Sequence, residues 1–266
     1  MPRSFMPLSF YKKPGLVVYV TCGDPDLATT RDVVLAAIEA GADVIELGVP
    51  FSDPVADGPV IQRASERALA AGTTLAQILT LAAELRQQAQ STGLVVFSYL
   101  NPILRMGMEK FCRVARHAGV DGVLVTDLPV EEAGEYLLAM KENDLAPVFL
   151  AAPTSPDERL KRIADASRGF VYAVSRTGVT GARQQLADDA EKLVRRLRRV
   201  SKSAVAVGFG ISNAAQFAAV GKFADAVVVG SAIVETIEQH CGREAEAVGD
   251  FVRALVGPHP GRETRG

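Results

Sequence analysis

The segment AGADVIELG, residues 40–48, carries the pattern on which the fold prediction rests. Gly41 ends an amphipathic stretch, and a short run of apolar and β-branched residues typical of a buried strand begins three residues later, at Val44. Two later segments echo it: AGVDGVLVTD at residues 118–127 and FADAVVVGS at residues 223–231. This weak internal repeat indicates a strand–helix unit that recurs along the chain.

The same alternation of short apolar runs and amphipathic segments extends over the whole chain. It predicts eight strands, each followed by a helix, with a single helix at 109–119 after strand three, Ser155 as the N-cap of another, and one final helical region at 233–256. Such alternation predicts a parallel sheet buried on both faces. Eight units favour an α/β fold of the closed (β/α)₈ TIM barrel type. A doubly wound open sheet is the alternative, but no glycine-rich dinucleotide fingerprint follows the first strand.

The predicted organisation is a single barrel domain at residues 15–256. Residues 1–14 are expected to cover the barrel floor, and residues 257–266 are expected to be a disordered tail. The 266 residues are 48% hydrophobic, which suits one large α/β domain. The net charge of -2 excludes a general nucleic-acid footprint, and the basic cluster at 195–199 is interpreted as a solvated helix end.

Cysteine usage and hydropathy indicate the compartment. The three cysteines are far apart and form no CxxC pair, which predicts free thiols in a reducing compartment. No apolar run approaches the roughly 20 residues that span a bilayer. We therefore expect a cytoplasmic protein with no membrane contact. The three histidines are scattered without a metal motif, so no metal site is expected.

In a barrel the active site lies at the carboxyl ends of the strands, where polar and aromatic residues follow several apolar runs. The most unusual of them is Glu46, a carboxylate inside an apolar strand. Alternation places it on one face with Val44 and Gly48. It is either half of a buried ion pair or, as we favour, a lumen acid/base with a burial-raised pKa. Asp57, in the loop PVADGP, fits a turn residue slightly better than a catalytic one.

Three glycine clusters follow the last three strands. They are RTGVTGAR at 176–183, GFG at 208–210 and GS at 230–231. Glycine lets a backbone approach a ligand closely, and a following helix offers unpaired N–H groups to an anion. Ser212 is expected at the start of one such helix. Each cluster alone is equally well explained by a turn, but three together predict a phosphorylated ligand.

Several of these segments belong to a longer pattern, which runs in order along the chain from about Gly15 to Val256. It comprises VIELGVPFSDPVADGPVIQRASERAL (44–69), DLPVEE (127–132), VSRTGVTGAR (174–183), VGFGIS (207–212) and VVVGSAIV (227–234). This pattern closely resembles the tryptophan synthase alpha subunit family. The resemblance implies a (β/α)₈ barrel that cleaves indole-3-glycerol phosphate into indole and glyceraldehyde 3-phosphate. It implies retro-aldol chemistry without a metal or organic cofactor.

The resemblance also implies roles for individual residues. Glu46 would be the general acid/base, Asp57 would hold the indole N–H, and Tyr172 would position the glycerol phosphate. Thr180 would hydrogen-bond Asp57 when the loop after strand six closes as a lid. The remaining substrate contacts would be Tyr19, Phe97 and Leu124 around the indole ring, and Gly181, Gly210, Gly230 and Ser231 around the phosphate.

A partner follows from the same resemblance. The family works as an α2β2 complex in which the beta subunit binds pyridoxal phosphate and receives indole through a tunnel. Pro50, Asp53, Pro54 and Asn101 would lie at that contact. The N-terminus departs from the family, which usually begins with an amphipathic helix. Here a proline-interrupted segment is expected to plug the floor in an extended form through Phe5, Met6, Leu8 and Phe10.

Two other functions remain open at this point. Another phosphosugar barrel, such as indole-glycerol-phosphate synthase, would use a lysine, but no lysine occurs at a strand end. A catalytically weak chain that binds phosphate and mainly activates a beta subunit is disfavoured by the intact set of Glu46, Asp57 and Thr180.

Overall fold

The computed structural model describes residues 8, 10, 12–174, 183–208 and 210–257. Nine parallel strand segments form a single sheet: β1 (Gly15–Thr21), β2 (Val44–Gly48), β3 (Gly93–Ser98), β4 (Gly122–Val125), β5 (Ala146–Val148), β6 (Leu150–Ala151), β7 (Phe170–Val174), β8 (Ala204–Gly208) and β9 (Ala226–Val229). The helices of the described chain are α1 (Leu27–Ala40), α2 (Pro59–Ala70), α3 (Leu75–Gln88), α4 (Leu100–Met106), α5 (Met108–His117), α6 (Gly134–Glu142), α7 (Asp157–Ala166), α8 (Arg183–Val200), α9 (Ala214–Gly221), α10 (Ser231–Gln239) and α11 (Glu244–Val256).

The sheet closes through Phe149. The strand order runs β5-β4-β3-β2-β1-β9-β8-β7-β6, so β5 and β6 occupy its two ends. They are nevertheless consecutive in the chain, separated by this one residue, whose carbonyl accepts the Tyr172 N–H at 3.0 Å. Together β5 and β6 are the fifth strand of an eight-stranded barrel. The TIM-barrel prediction is confirmed, and the doubly wound alternative is rejected.

One helix was missed, and the final helical region is divided in two. α4 lies in the segment that was expected to be the loop after strand three. Pro102 occupies the first turn, where its missing N–H costs no helical hydrogen bond. The final region is two helices, α10 and α11, because the chain turns between them through Gly242 at φ 80.

The N-cap prediction for Ser155 was also wrong, since α7 begins at Asp157 with Pro156 as its N-cap. Ser155 is buried, and its backbone is committed elsewhere: its N–H donates to the Ala152 carbonyl, and its own carbonyl accepts from Arg196. Arg196 belongs to the basic cluster at the end of α8 and also binds Asp157. The basic cluster therefore does more than face solvent, because Arg196 links α8 to α7 and to the segment before it.

The core has an outer and an inner layer. Alternate strand residues such as Val18 and Ile45 pack against the helices. Residues of the opposite parity fill the lumen, which Leu8 and Phe10 enter from the floor. At the strand starts, a Cβ on Gly93 or on Gly122 would lie 2.8 Å from a methyl carbon of Leu8. The missing side chains make room for this leucine. Phe5 and Met6 lie outside the described residues.

Three aspartates explain the sequence repeat. Asp43, Asp121 and Asp225 each precede a strand and accept the N–H of the second residue of the neighbouring strand. The distances, to Leu16, Leu94 and Val205 respectively, are 2.8, 2.9 and 3.0 Å. In each pair the aspartate N–H also donates to the carbonyl of the same partner residue. The repeated aspartate therefore closes the ladder where the strands begin, at the end of the barrel away from the chemistry.

Asp121 gives a test of this role. It accepts from the Leu94 N–H and pairs with the largely buried Arg86. Asp121→Ala would leave a buried N–H and a buried cation without this partner, so we expect a loss of about 3 kcal/mol. The midpoint of urea unfolding measures it. Asp32→Ala, which removes an exposed carboxylate paired with Arg31, should leave the midpoint nearly unchanged. Equal midpoints for the two variants would contradict the role.

All three cysteines are free, as predicted: Cys22 and Cys112 are buried and Cys241 is exposed. Burial raises the pKa of the Cys112 thiol to about 11 and that of Cys22 still further. In the described parts of the chain, no single helix is long and apolar enough to cross a membrane. α2 and α3 meet that requirement only as a pair bent by 99°.

Candidate active site

Glu46 projects into the barrel lumen from the third position of β2, between Tyr19 of β1 and Val95 of β3. Its exposure is 0%, and neither carboxyl oxygen has a hydrogen-bond partner among the described residues. Burial raises its pKa to about 8. The ion-pair alternative therefore finds no support among the described residues, where no cation bonds the carboxyl group. At neutral pH Glu46 is a protonated acid, ready to give its proton to a substrate.

This arrangement costs stability. Because the pKa of Glu46 is higher in the folded protein, near 8, than its ordinary value of 4.5, the folded state binds the proton more tightly. Stability therefore falls as pH rises between those two values. A buried carboxyl group without hydrogen bonds is unfavourable for folding, and such groups are typical of functional sites.

Two tyrosines share the lumen with Glu46. Tyr19 is buried and packs edge-on against Phe97, with ring centroids 5.1 Å apart. Tyr172 faces inward from β7. Burial raises the pKa of both phenols, and the charges of Asp57 and Glu46 add to the effect in each case. Both phenols are therefore close enough to Asp57 and Glu46 for those charges to affect their ionisation.

Two glycines at strand ends, for which the sequence analysis predicted no such role, make room for these phenols. A side chain at Gly48 would overlap the Tyr19 ring and hydroxyl. A Cβ at Gly208 would lie 2.8 Å from the Tyr172 hydroxyl oxygen. The only sequence signal is a glycine as the last residue of an apolar strand. Leu124 completes the wall: it is fully buried, faces the lumen and pairs in register with Phe97.

Asp57 lies in the loop between β2 and α2 and is half-buried. Its N–H donates to the Pro54 carbonyl at 3.0 Å, so its backbone does form part of a turn. Its side chain is used differently: Oδ2 accepts a hydrogen bond from the Tyr99 hydroxyl at 3.0 Å. Gly58 has φ -79, so the turn does not require a glycine there. Turn formation alone therefore does not account for Asp57, and Tyr99 is a contact that the sequence analysis missed.

The residues expected to bind phosphate lie near the N-termini of two helices, α9 and α10. α10 begins at Ser231, and no side chain caps its first N–H groups. Its N-cap Gly230 lies against Tyr19, since a Cβ there would be 3.4 Å from the Tyr19 Cβ. α9 begins at Ala214, not at Ser212, and the Asn213 side chain already accepts from the Gln216 N–H. The start of α10 is therefore the better placed for an anion.

The remaining site predictions are distributed as follows. Gly210, at φ 79, precedes α9. Thr180, Gly181 and the lid loop lie outside the described residues. Among the residues that are described, no group of three or more histidine, cysteine, aspartate or glutamate side chains could hold a metal ion.

The predicted partner surface lies beside Asp57. Asp53 and Asn101 are exposed and Pro54 is partly exposed, whereas Pro50 is buried and offers no side-chain surface to a partner. Two large apolar residues that the prediction omitted, Val55 at 82% and Leu104 at 55% exposure, belong to the same two segments. Exposed apolar side chains among polar ones are typical of an interface.

Comparisons with a family model and with known proteins all point to the same family. The family model described as tryptophan synthase alpha chain matches residues 5–257. The tryptophan synthase alpha chain of Geotalea daltonii is 49% identical over 242 residues, 91% of each chain. That of Methylococcus capsulatus is 47% identical over 96% of each chain.

Solved structures agree. A chain from a study of the tryptophan synthase α2β2 complex of Pyrococcus furiosus is 43% identical with a TM-score of 0.88, covering 94% of this chain and 100% of that one. A chain of tryptophan synthase from M. tuberculosis is 37% identical with a TM-score of 0.82, over 91% and 92% of the two chains. The chain described here belongs to the tryptophan synthase alpha chain family.

Proposed function

We propose that this chain cleaves indole-3-glycerol phosphate to indole and glyceraldehyde 3-phosphate and passes the indole to a beta subunit. It is a carbon–carbon lyase of tryptophan biosynthesis and works in an α2β2 complex. The observation that carries the proposal is Glu46, a fully buried carboxyl group with a pKa of about 8 at the mouth of a barrel of this family.

The first step is protonation of the ring. Glu46 donates its proton to indole C3, and the ring becomes a positively charged indolenine. Asp57 accepts the ring N–H and stabilises the charge that develops on the nitrogen. A positioned carboxylate in a partly buried site interacts with that charge far more strongly than it would in water.

The second step breaks the carbon–carbon bond. The Glu46 carboxylate takes the proton from the hydroxyl group on the carbon beside the ring. That carbon becomes the aldehyde of glyceraldehyde 3-phosphate, and the electron pair of the broken bond returns to C3 and restores indole. Glu46 ends protonated, as it began, so one group serves as acid and then as base.

The other predicted residues bind the substrate. Tyr19, Phe97 and Leu124 hold the ring, and Tyr172 orients the glycerol chain. Gly230 and Ser231, at the uncapped start of α10, hold the phosphate with Gly210 and Gly181. Thr180 bonds Asp57 when the lid closes. The contacts among Tyr19, Phe97 and Gly230 support this arrangement.

The proposed chemistry needs only side chains of this chain. Pyridoxal phosphate belongs to the partner beta subunit, which docks on the surface formed by Asp53, Pro54 and Asn101. A cytoplasmic location remains a prediction, based on the free thiols.

Indole release tests the function. Purified chain is incubated with indole-3-glycerol phosphate, alone and with a beta subunit, and indole and glyceraldehyde 3-phosphate are measured. We expect both products in equal amounts and a faster rate with the partner. If the chain instead converts the open-chain precursor of indole-3-glycerol phosphate into that compound, the synthase alternative is favoured. Activation of the beta subunit without cleavage would favour the weak-partner alternative.

A further inference from the structure

Tyr99 lies between the candidate site and the loop that carries Asp57. It follows β3 directly as the N-cap of α4 and is 3% exposed. Its ring stacks on Phe51, with centroids 4.9 Å apart and planes 29° apart. The ring is thus anchored to the barrel by the strand that precedes it and to the start of the β2–α2 loop by the stack.

The hydroxyl group of Tyr99 makes two hydrogen bonds to consecutive residues of that loop. It accepts from the Ala56 N–H at 2.9 Å and donates to Asp57 Oδ2 at 3.0 Å. Because the hydroxyl oxygen already receives the Ala56 proton, its own proton is directed to the carboxylate. Burial, followed by the charge of Asp57, raises the pKa of Tyr99 well above its usual value, so the phenol remains a donor.

The rest of the loop offers less restraint. Asp53, Val55 and Ala56 are exposed, and the loop's bonds include backbone turns, the Ser52 hydroxyl to Asp53, and contacts from the Gln62 amide to carbonyls. The contacts from Gln62 hold the main chain at Pro54 and Asp57. The bond from Tyr99 restrains the carboxylate itself.

We propose that Tyr99 is a positioning residue for the cleavage reaction. It fixes the orientation of the Asp57 carboxylate toward the ring nitrogen and stabilises its ionised form. This inference rests on the proposed function, in which Asp57 meets the charge that develops on the ring. A carboxylate stabilises a developing charge most strongly when it is already correctly oriented before the reaction. Any reorientation during the reaction would cost part of that stabilisation.

Tyr99→Phe is the direct test, because it keeps the ring and its stack on Phe51 and removes only the hydroxyl. We expect kcat for indole-3-glycerol phosphate cleavage to fall about 10-fold, the scale of a hydrogen bond to a charged group, with KM within about 2-fold. The acidic limb of the kcat profile should move to higher pH, since a donor to the ionised carboxylate is lost.

Tyr136→Phe is the matched control. Tyr136 is 2% exposed, packs edge-on against Phe149 and donates to the Val123 carbonyl at 2.8 Å. The control therefore also loses one buried hydroxyl hydrogen bond, but between α6 and β4 rather than at Asp57. We expect its kcat and pH profile to match those of the wild type.

A double-mutant comparison completes the experiment. If Tyr99 acts through Asp57, Tyr99→Phe should cost less than about 2-fold in an Asp57→Asn background. An equal loss in both backgrounds, or a Tyr99→Phe variant that matches Tyr136→Phe, would overturn the inference. Wild-type protein in the same assay separates the two proposals: no cleavage by wild type defeats the proposed function, whereas cleavage equal in wild type and Tyr99→Phe defeats only the role of Tyr99.

Discussion

Glu46→Gln is expected to lower kcat for indole-3-glycerol phosphate cleavage by about 10³-fold or more. Glutamine has nearly the same size and keeps the lumen filled, but it can neither give a proton to C3 nor take one from the hydroxyl group. Steady-state kinetics on the purified variant measures the loss. Because the carboxyl group makes no hydrogen bond within the described protein, its replacement should disturb no neighbour.

Binding supplies the control for Glu46→Gln. Indole-3-propanol phosphate keeps the ring and the phosphate but cannot undergo the cleavage. Its Kd should change by no more than a few-fold, because Glu46 acts on the reacting atoms rather than on the phosphate or the ring face. Substantial turnover by a correctly folded variant would remove Glu46 from the mechanism.

Asp57→Asn is expected to lower kcat by about 10²-fold, with a smaller change in KM. The amide retains the size of the side chain and can still accept from Tyr99, but it loses the negative charge that opposes the charge on the ring nitrogen. Kinetics without a beta subunit isolates this effect from docking. Asp165→Asn, an exposed change on α7, is the control and should behave as wild type. Equal rates for the two variants would show that Asp57 only forms the turn and has no role in the reaction.

The barrel could be predicted because its determinants are local. The repeated segments mark strand starts, and alternation within β2 groups Glu46 with Val44 and Gly48 on one face, which the structure shows to be the lumen face. The repeated aspartate was visible, but its purpose was not, since the N–H that it binds belongs to a different strand. α4 was missed because proline in a first turn and proline in a loop have the same local pattern.

The candidate site was only partly predictable for a related reason. The contact between Tyr99 and Asp57 joins residues 42 apart in sequence and depends on how the intervening loop folds back. No periodicity or spacing reports such a contact. The space that Gly48 leaves for the Tyr19 phenol likewise depends on the register of β1 and β2. The family resemblance directed attention to Asp57, whereas composition and spacing alone favoured a turn.

The proposed mechanism requires Glu46 to be a buried, protonated acid at neutral pH. Difference infrared spectra between wild type and Glu46→Gln, recorded across the pH range, report the protonation of this one carboxyl group. We predict that the protonated band persists at pH 7 and disappears with a midpoint near 8, and that kcat/KM falls over the same range. A Glu46 side chain already ionised at pH 6 could not be the acid that protonates C3 at neutral pH.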